Sequence, residues 1–201
     1  MKILKTLDKS PNERYVDIAV EALKDGEIII YPTDTIYAMG CDALNNQAIE
    51  KICRIKGINS DKTNLSIICH DISQVAEYAK FDNDDFKIMR ANFPGAFTFI
   101  FKALSKLPRA FKGRKTVGVR IPNNDVALMI VEKLGHPLLT SSIDCSDEDF
   151  GCEPELMATK YGEDVSVIID TGRGNTVPST IIDCTGEEHE IIRQGKGVLD
   201  L

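Results

Sequence analysis

The sequence predicts an α/β layer fold: one domain over residues 1–201, with a twisted sheet of mixed parallel and antiparallel strands flanked by helices. Three observations predict it. Short apolar runs rich in β-branched residues alternate with segments of helical period along most of the chain. Strand-like runs then cluster towards the C-terminal end. No internal repeat and no Pro/Gly/Ser-rich linker divides the 201 residues, a length that suits one globular domain.

The elements follow in order. Ser10-Pro11-Asn12-Glu13 predicts a helix start, with Ser10 as cap, Pro11 in the first helical position and Glu13 completing a capping box. Ile18, Ala19, Ala22 and Leu23 give this helix one apolar face, and Gly26 ends it in the left-handed position. Residues 27–31 form a short continuous run suited to a buried strand, stopped by Pro32. Asn46 predicts the cap of a helix through Ala48, Ile49, Ile52, Cys53 and Ile55, closed by Gly57. Residues 65–69 read as a strand, and Asp71-Ile72-Ser73-Gln74 as a capping box before a helix carrying Val75, Ala76 and Tyr78. Strands are expected at 97–101 and 117–121, a helix at 125–134 ended by Gly135, and a strand at 138–141. A helix at 153–161 and strands at 165–170, 180–184 and 190–193 complete the reading.

Composition narrows the function classes. With 43% hydrophobic and 27% charged residues, the chain belongs with soluble globular proteins and not with disordered or low-complexity ones. No run of 18 apolar residues exists, so no membrane partner is expected, and the first five residues lack the apolar core of a signal peptide. Six cysteines without a CxxC predict reduced, mostly buried thiols and a cytoplasmic protein. Cys145 and Cys152 stand in an acidic loop with no second ligand pair at zinc spacing, so no metal held by protein side chains is expected. The net charge of −7 disfavours indiscriminate nucleic-acid binding. The charge is uneven, however. Seven bases and no acids lie between Lys102 and Arg120, and six acids and no bases between Asp144 and Glu155. The first strip suits phosphates and the second repels them; each is equally readable as a solvated surface loop.

The common nucleotide fingerprints GxxxxGK[ST] and GxGxxG are absent, and Gly172-Arg173-Gly174 reads as a turn. The three histidines are isolated in sequence and read as surface or core residues. What stands out is a loop after the first strong strand, Tyr31-Pro32-Thr33-Asp34-Thr35-Ile36-Tyr37-Ala38-Met39-Gly40, because ligands bind at strand ends in α/β sheets. Its threonines suit an ST-turn as readily as a ligand. Further clusters are Pro94-Gly95-Ala96-Phe97-Thr98, Val117-Gly118-Val119-Arg120-Ile121-Pro122, Thr140-Ser141-Ser142, Pro178-Ser179-Thr180 and Ile191-Ile192-Arg193-Gln194-Gly195. Arg120 interrupts a β-run, which is costly unless it is paired with an acid or bound to an anion. Strands that end in hydroxyls or arginine together predict a polar pocket for a carboxylate or phosphate, working by positioning and charge neutralisation without a nucleophile–base pair.

These motifs in this order resemble the YrdC/YciO family of threonylcarbamoyl-AMP synthases and their relatives, over residues 10–197. The segments YPTDTIYAMG, PGAFT, VGVRIP, PSTIID and IIRQG carry the resemblance jointly. It implies a concave, positively charged cavity and a synthase that turns ATP, L-threonine and bicarbonate into threonylcarbamoyl-adenylate and pyrophosphate. The product modifies an adenosine in tRNA, and the family is also associated with double-stranded RNA. Carried over by residue, Lys56, Arg120 and Ser141 are the catalytic set, with ATP bringing Mg2+. Thr33 or Thr35, near Tyr37, binds threonine, while Arg120 and Ser179 hold its carboxylate and amine end. Lys56, Ser141 and Arg193 face the nucleotide. Lys112, Arg114 and Lys115 are the candidate RNA contacts.

The chain departs from the family pattern in the nucleotide half and resembles the YciO branch more than the synthases. Ile58 stands where the family has the arginine of Lys-x-Arg, and Ile143 where it has the asparagine of Ser-x-Asn. Ile68 replaces a frequent histidine, with His70 two residues on. Each lost charge-assisted phosphate contact costs roughly 1.5–3 kcal/mol. Three readings follow: threonylcarbamoyl-adenylate synthesis with a degenerate ATP half-site, non-catalytic binding of tRNA or double-stranded RNA, and hydrolysis of the adenylate.

Overall fold

The computed structural model describes residues 1–60, 62–113, 115–144 and 151–200. One mixed sheet takes every strand. Its elements are β1 (Lys2–Lys5), α1 (Glu13–Lys24), β2 (Ile29–Tyr31), β3 (Ala38–Asp42), α2 (Asn46–Lys56), β4 (Ser66–Ile68) and α3 (Ile72–Tyr78). Then come β5 (Ala79–Lys80), α4 (Asn83–Asn92), β6 (Phe97–Ala103), β7 (Thr116–Arg120), α5 (Asp125–Leu134) and β8 (Leu138–Ser142). The last are α6 (Pro154–Tyr161), β9 (Val167–Asp170), β10 (Thr180–Asp183) and β11 (Glu190–Arg193). The strand order is β1-β9-β2-β3-β8-β4-β7-β6-β10-β11, with β5 added against β6. Four pairs are parallel (β1/β9, β9/β2, β4/β7, β6/β10) and the others antiparallel, so the sheet is mixed, as expected.

Side-chain alternation divides the core between the two faces. On β2, Ile29 and Tyr31 join Val16, Val20 and Leu23 of α1 and Val126, Ile130 and Leu134 of α5. Ile28 and Ile30 point the other way, to Ile49 and Ile52 of α2 and the aromatic row of β6. In that row Phe97, Phe99 and Phe101 stack at 6.1 and 6.3 Å between ring centres, with Phe93 edge-on to Phe99 at 5.1 Å.

Several caps differ from the sequence expectation, for local reasons. Ser10 is drawn into a β-bridge with Leu7, so Asn12 caps α1 by accepting from the Arg14 N–H at 3.1 Å. Asn45, not Asn46, caps α2, taking the N–H groups of Gln47 and Ala48, because Asn46 accepts from the Ala110 N–H at 3.1 Å. Asp71 caps α3 as expected, but the Gln74 amide reaches back to the His70 N–H instead of closing the box. The loop expected to run to Gly40 ends earlier, since β3 starts at Ala38 and pairs with both β2 and β8. The short β1 and β5 and the helix α4 were also not legible. A complete capping box does sit at the start of α4, with Asp82 and Asp85 exchanging bonds, and both residues are visible in the sequence.

Glycine is demanded where β3 crosses β2 and β8. A Cβ on Gly40 would lie 2.7 Å from the Tyr31 ring and 3.0 Å from the Leu139 carbonyl oxygen. We predict that Gly40→Ala costs about 1–3 kcal/mol by overpacking, read as a lower urea midpoint at unchanged slope.

Candidate functional site

The part of the α1/α5 face of the sheet that those helices leave uncovered carries polar side chains. Along β7, Val117 and Val119 enter the core, so Gly118 and Arg120 turn to the opposite face. Gly118 makes room there: a Cβ would lie 2.4 Å from Ser66 Oγ and 3.1 Å from the Thr98 methyl. The result is a cavity of about 270 Å³ lined by Asn64, Ser66, Thr98, Arg120, Thr140, Ser141, Ser142, Ser179, Ile181 and Arg193.

Arg120 is 3% exposed, in the middle of the sheet. Its Nη2 donates to Asp34 Oδ1 and to Thr35 Oγ1, each at 3.0 Å. Asp34 is thus both the acid that a buried arginine needs and a staple, because its Oδ2 accepts from the Asn123 N–H at 3.1 Å and its carbonyl from Lys196 Nζ at 2.6 Å. Burial pulls the Arg120 guanidinium below its ordinary value, and Asp34 opposes that shift. Among the described residues, Arg120 Nε is the one buried side-chain nitrogen or oxygen with no hydrogen-bond partner. A buried N–H of a charged group left unpaired is expensive, and an anion in the cavity would satisfy it.

Arg193 reaches the same cavity from the edge strand β11. Its Nε and Nη2 donate to the Ser179 carbonyl at 3.2 and 2.9 Å. Burial first, then the neighbouring Arg120 charge, lowers its pKa. The cavity is therefore electropositive, with Asp34 as the near counter-charge. The Ser179 hydroxyl lies 2.9 Å from that of Thr98, and Tyr31 donates to Thr140 Oγ1 at 2.7 Å. The segment after β11 closes over this corner. A Cβ on Gly195 would lie 2.3 Å from the Pro178 carbonyl oxygen, and the Lys196 N–H donates to that oxygen at 2.8 Å.

The structure brings together Arg120, Ser141, Ser179 and Arg193, with Thr35 bonded to Arg120. Lys56, at the end of α2, reaches the rim and donates to the Ser142 carbonyl at 2.9 Å. Thr33 holds the turn: its hydroxyl donates to the Ile36 carbonyl at 2.7 Å and accepts from the Thr35 N–H at 3.1 Å. Tyr37 lies outside the lining, where its hydroxyl donates to the Gly172 carbonyl at 2.9 Å and accepts from the Thr171 N–H at 3.0 Å. Where a turn was expected, Gly172 and Arg173 form a bend, and Gly174 lies against the Tyr37 ring. Lys112 and Lys115 line a different hollow with Leu107 and Phe111, so the basic strip is divided between two places. Arg114 and Cys145 lie outside the described residues. Ile143 is buried in the core and Ile58 packs against it, so neither brings charge to the cavity.

Asn64 and Ser66 line the cavity and Lys196 ties down Asp34 with no local signal in the sequence. Asp34 alone had a signal, as an acid next to the threonines and a candidate partner for Arg120. Burial raises the thiols of Cys41, Cys69 and Cys184, the last to about 12, so none of these three is poised as a nucleophile. The site's resources are fixed charge and hydroxyl donors. Among the described residues, no helix is long and apolar enough to cross a membrane.

The Sua5/YciO/YrdC family model, described as telomere recombination, matches residues 21–195. Protein YciO of Escherichia coli strain K12 is 36% identical over 191 residues, covering 94% of this chain and 92% of that one. Its crystal structure superimposes with a TM-score of 0.91, covering 98% of this chain and 97% of that one. The threonylcarbamoyl-AMP synthase of Bacillus subtilis is 30% identical over 194 residues, which cover 94% of this chain but 56% of the longer synthase. The crystal structure of P. abyssi Sua5 complexed with L-threonine matches with a TM-score of 0.87 at 26% identity, covering 97% of this chain and 58% of that one.

The Arg120–Asp34 pair generates a prediction. Asp34→Asn leaves a buried guanidinium without its counter-charge and should cost about 3–5 kcal/mol in chemical denaturation. Arg120→Met added to Asp34→Asn should recover part of that loss.

Proposed function

Because the chain belongs to the Sua5/YciO/YrdC family, we propose that it binds L-threonine by its carboxylate in this cavity. With ATP and bicarbonate it then forms threonylcarbamoyl-adenylate and pyrophosphate, the donor for a modified adenosine in tRNA. The observation that carries this reading is the unpaired Nε of Arg120, held in a guanidinium that lines a small hydroxyl-rich cavity. A carboxylate is planar and complements a guanidinium. The cavity's volume of about 270 Å³ suits an amino acid and not a whole nucleotide. The P. abyssi relative with L-threonine bound supports the same choice.

The chemistry follows from positioning. The threonine amine, having lost a proton, attacks the carbon of bicarbonate, and water leaves to give the carbamate. A carbamate oxygen then attacks the α-phosphorus of ATP, the bond from that phosphorus to the bridging oxygen breaks, and its electron pair departs with pyrophosphate. Arg120 and Ser179 fix the amino acid, and Thr35 orients Arg120. Arg193 and Lys56 offset the negative charge that develops on the phosphates. The triphosphate lies across the cavity mouth, where Lys56 stands beside Ser142. Mg2+ enters with ATP; the cavity lining holds no carboxylate, so the groups offered to the ion are the hydroxyls of Ser141 and Ser142. When bound, the ion neutralises phosphate charge. Ile58 and Ile143 add nothing to this half, so we expect weak ATP binding and a slow reaction.

The test is mass spectrometry of products from pure protein with Mg-ATP, L-threonine and bicarbonate. The adenylate should form only when threonine and bicarbonate are both present. Arg193→Gln should lower kcat/KM by roughly 10- to 100-fold, the worth of one charge-assisted contact. No adenylate from a preparation that binds L-threonine by calorimetry would overturn the synthase reading.

A further inference from the structure

Away from the cavity, three chemically distinct donors meet at the root of the β10–β11 hairpin. A carboxylate oxygen of Asp85, the Cys184 sulfur and a ring nitrogen of His189 all lie within 4.8 Å of one another. They come from three places: the first turn of α4, the residue after β10, and the residue before β11. We propose that these three side chains form a binding site for a zinc-type dication, independent of the reaction proposed above.

The donor set selects the ion. A thiol sulfur, an imidazole and a carboxylate together suit Zn2+ or Co2+, whereas Mg2+ and Ca2+ prefer all-oxygen shells. Ligands of a tetrahedral zinc lie about 3.3–3.8 Å apart, given its usual bond lengths. The sulfur therefore needs to close on the other two atoms by about 1.3 Å or less, while His189 Nε2 and Asp85 Oδ1, 2.8 Å apart, part by about half an ångström; His189, on an exposed loop, can supply the movement. The carboxylate is aimed. Asp85 Oδ2 accepts from the Asp82 N–H at 3.0 Å, which leaves Oδ1 facing His189 Nε2 at 2.8 Å. That arrangement is how outer-shell bonds orient a metal-binding carboxylate. Neighbouring acids are otherwise engaged, since Asp82 caps α4 and Asp183 accepts from Thr185. The site thus has three protein ligands. The His189 side chain is 29% exposed against 10% for Asp85, so solvent and ion arrive from the His189 side. On binding, the thiol proton leaves to solvent and the ion replaces the His189–Asp85 hydrogen bond. The physical effect is to fasten the hairpin that carries Arg193 to α4.

The experiment uses the full chain, stripped of metal and titrated with Zn2+ by calorimetry and with Co2+ by absorption. We expect one equivalent to bind, a thiolate-to-cobalt charge-transfer band, and a higher Tm with Zn2+. Cys184→Ser should abolish the band, and Cys53→Ser should leave it intact. His189→Asn, on an exposed loop, should weaken binding by more than the roughly 10- to 100-fold that loss of an outer-shell partner costs. No stoichiometric binding would overturn the proposal and leave a plain His189–Asp85 ion pair. A band that survives Cys184→Ser, or an affinity unmoved by His189→Asn, would overturn it equally.

Discussion

A guanidinium buried in the middle of a sheet is the constraint on which the rest of this molecule depends. Arg120 sits at the end of β7, flanked by β4 and β6, where loss of its counter-charge would remove about 3–5 kcal/mol, a large share of a domain's stability. Asp34 meets that need, and meeting it fixes three separate segments. The turn after β2 supplies Asp34, the chain leaving β7 donates its Asn123 N–H to the same carboxylate, and the C-terminal segment adds Lys196. The ion pair is therefore both a structural knot and the floor of a cavity. Because Asp34 and Thr35 engage only Nη2, the charge is held in place while Nε is left for a ligand.

The two halves of the site are built differently. The half around Arg120, Ser179 and Thr98 is buried, hydrogen-bonded and backed by central strands. The other half depends on Lys56, at a helix end, and on Arg193, on an edge strand whose residues are all exposed. Preorganisation is what gives fixed charges their catalytic value. The first half has it from the sheet. The second half gains it from local ties: Arg193 to the Ser179 carbonyl, Lys56 to the Ser142 carbonyl, and the β10–β11 hairpin to α4 through His189 and Asp85. Ile143 in the core and Ile58 packed against it add no charge to this second half.

How much of this the sequence revealed depended on whether a residue's role was local. The alternation of strands and helices, the Gly57 and Gly135 caps and the bounds of α5 and β11 follow from periodicity and near-neighbour chemistry, and all were legible. The start of α1 was not, because Ser10 is claimed by Leu7 through a β-bridge that no local pattern announces. β3 was hidden by its composition: Ala38-Met39-Gly40 has little strand propensity and is held by partners on both sides. In the site, Arg120 could be read as anomalous from the sequence alone, since arginine between valine and isoleucine needs a partner. Which acid supplied it could not be read: the partner is Asp34, and the pair leaves Arg120 Nε without a hydrogen bond. Asn64, Ser66 and Lys196 reach the site only through sheet register and the path of the C-terminal segment, which are long-range properties.

The central claim is that Arg120 is a carboxylate anchor, and its most direct test compares two ligands that differ only there. Calorimetric titration of the protein with L-threonine and with L-threoninol, in which an alcohol replaces the carboxylate, isolates that contact without altering the fold. The account predicts saturable binding of L-threonine and at least about tenfold weaker binding of L-threoninol, the worth of a charge-assisted hydrogen bond. Equal affinity for the two would contradict it.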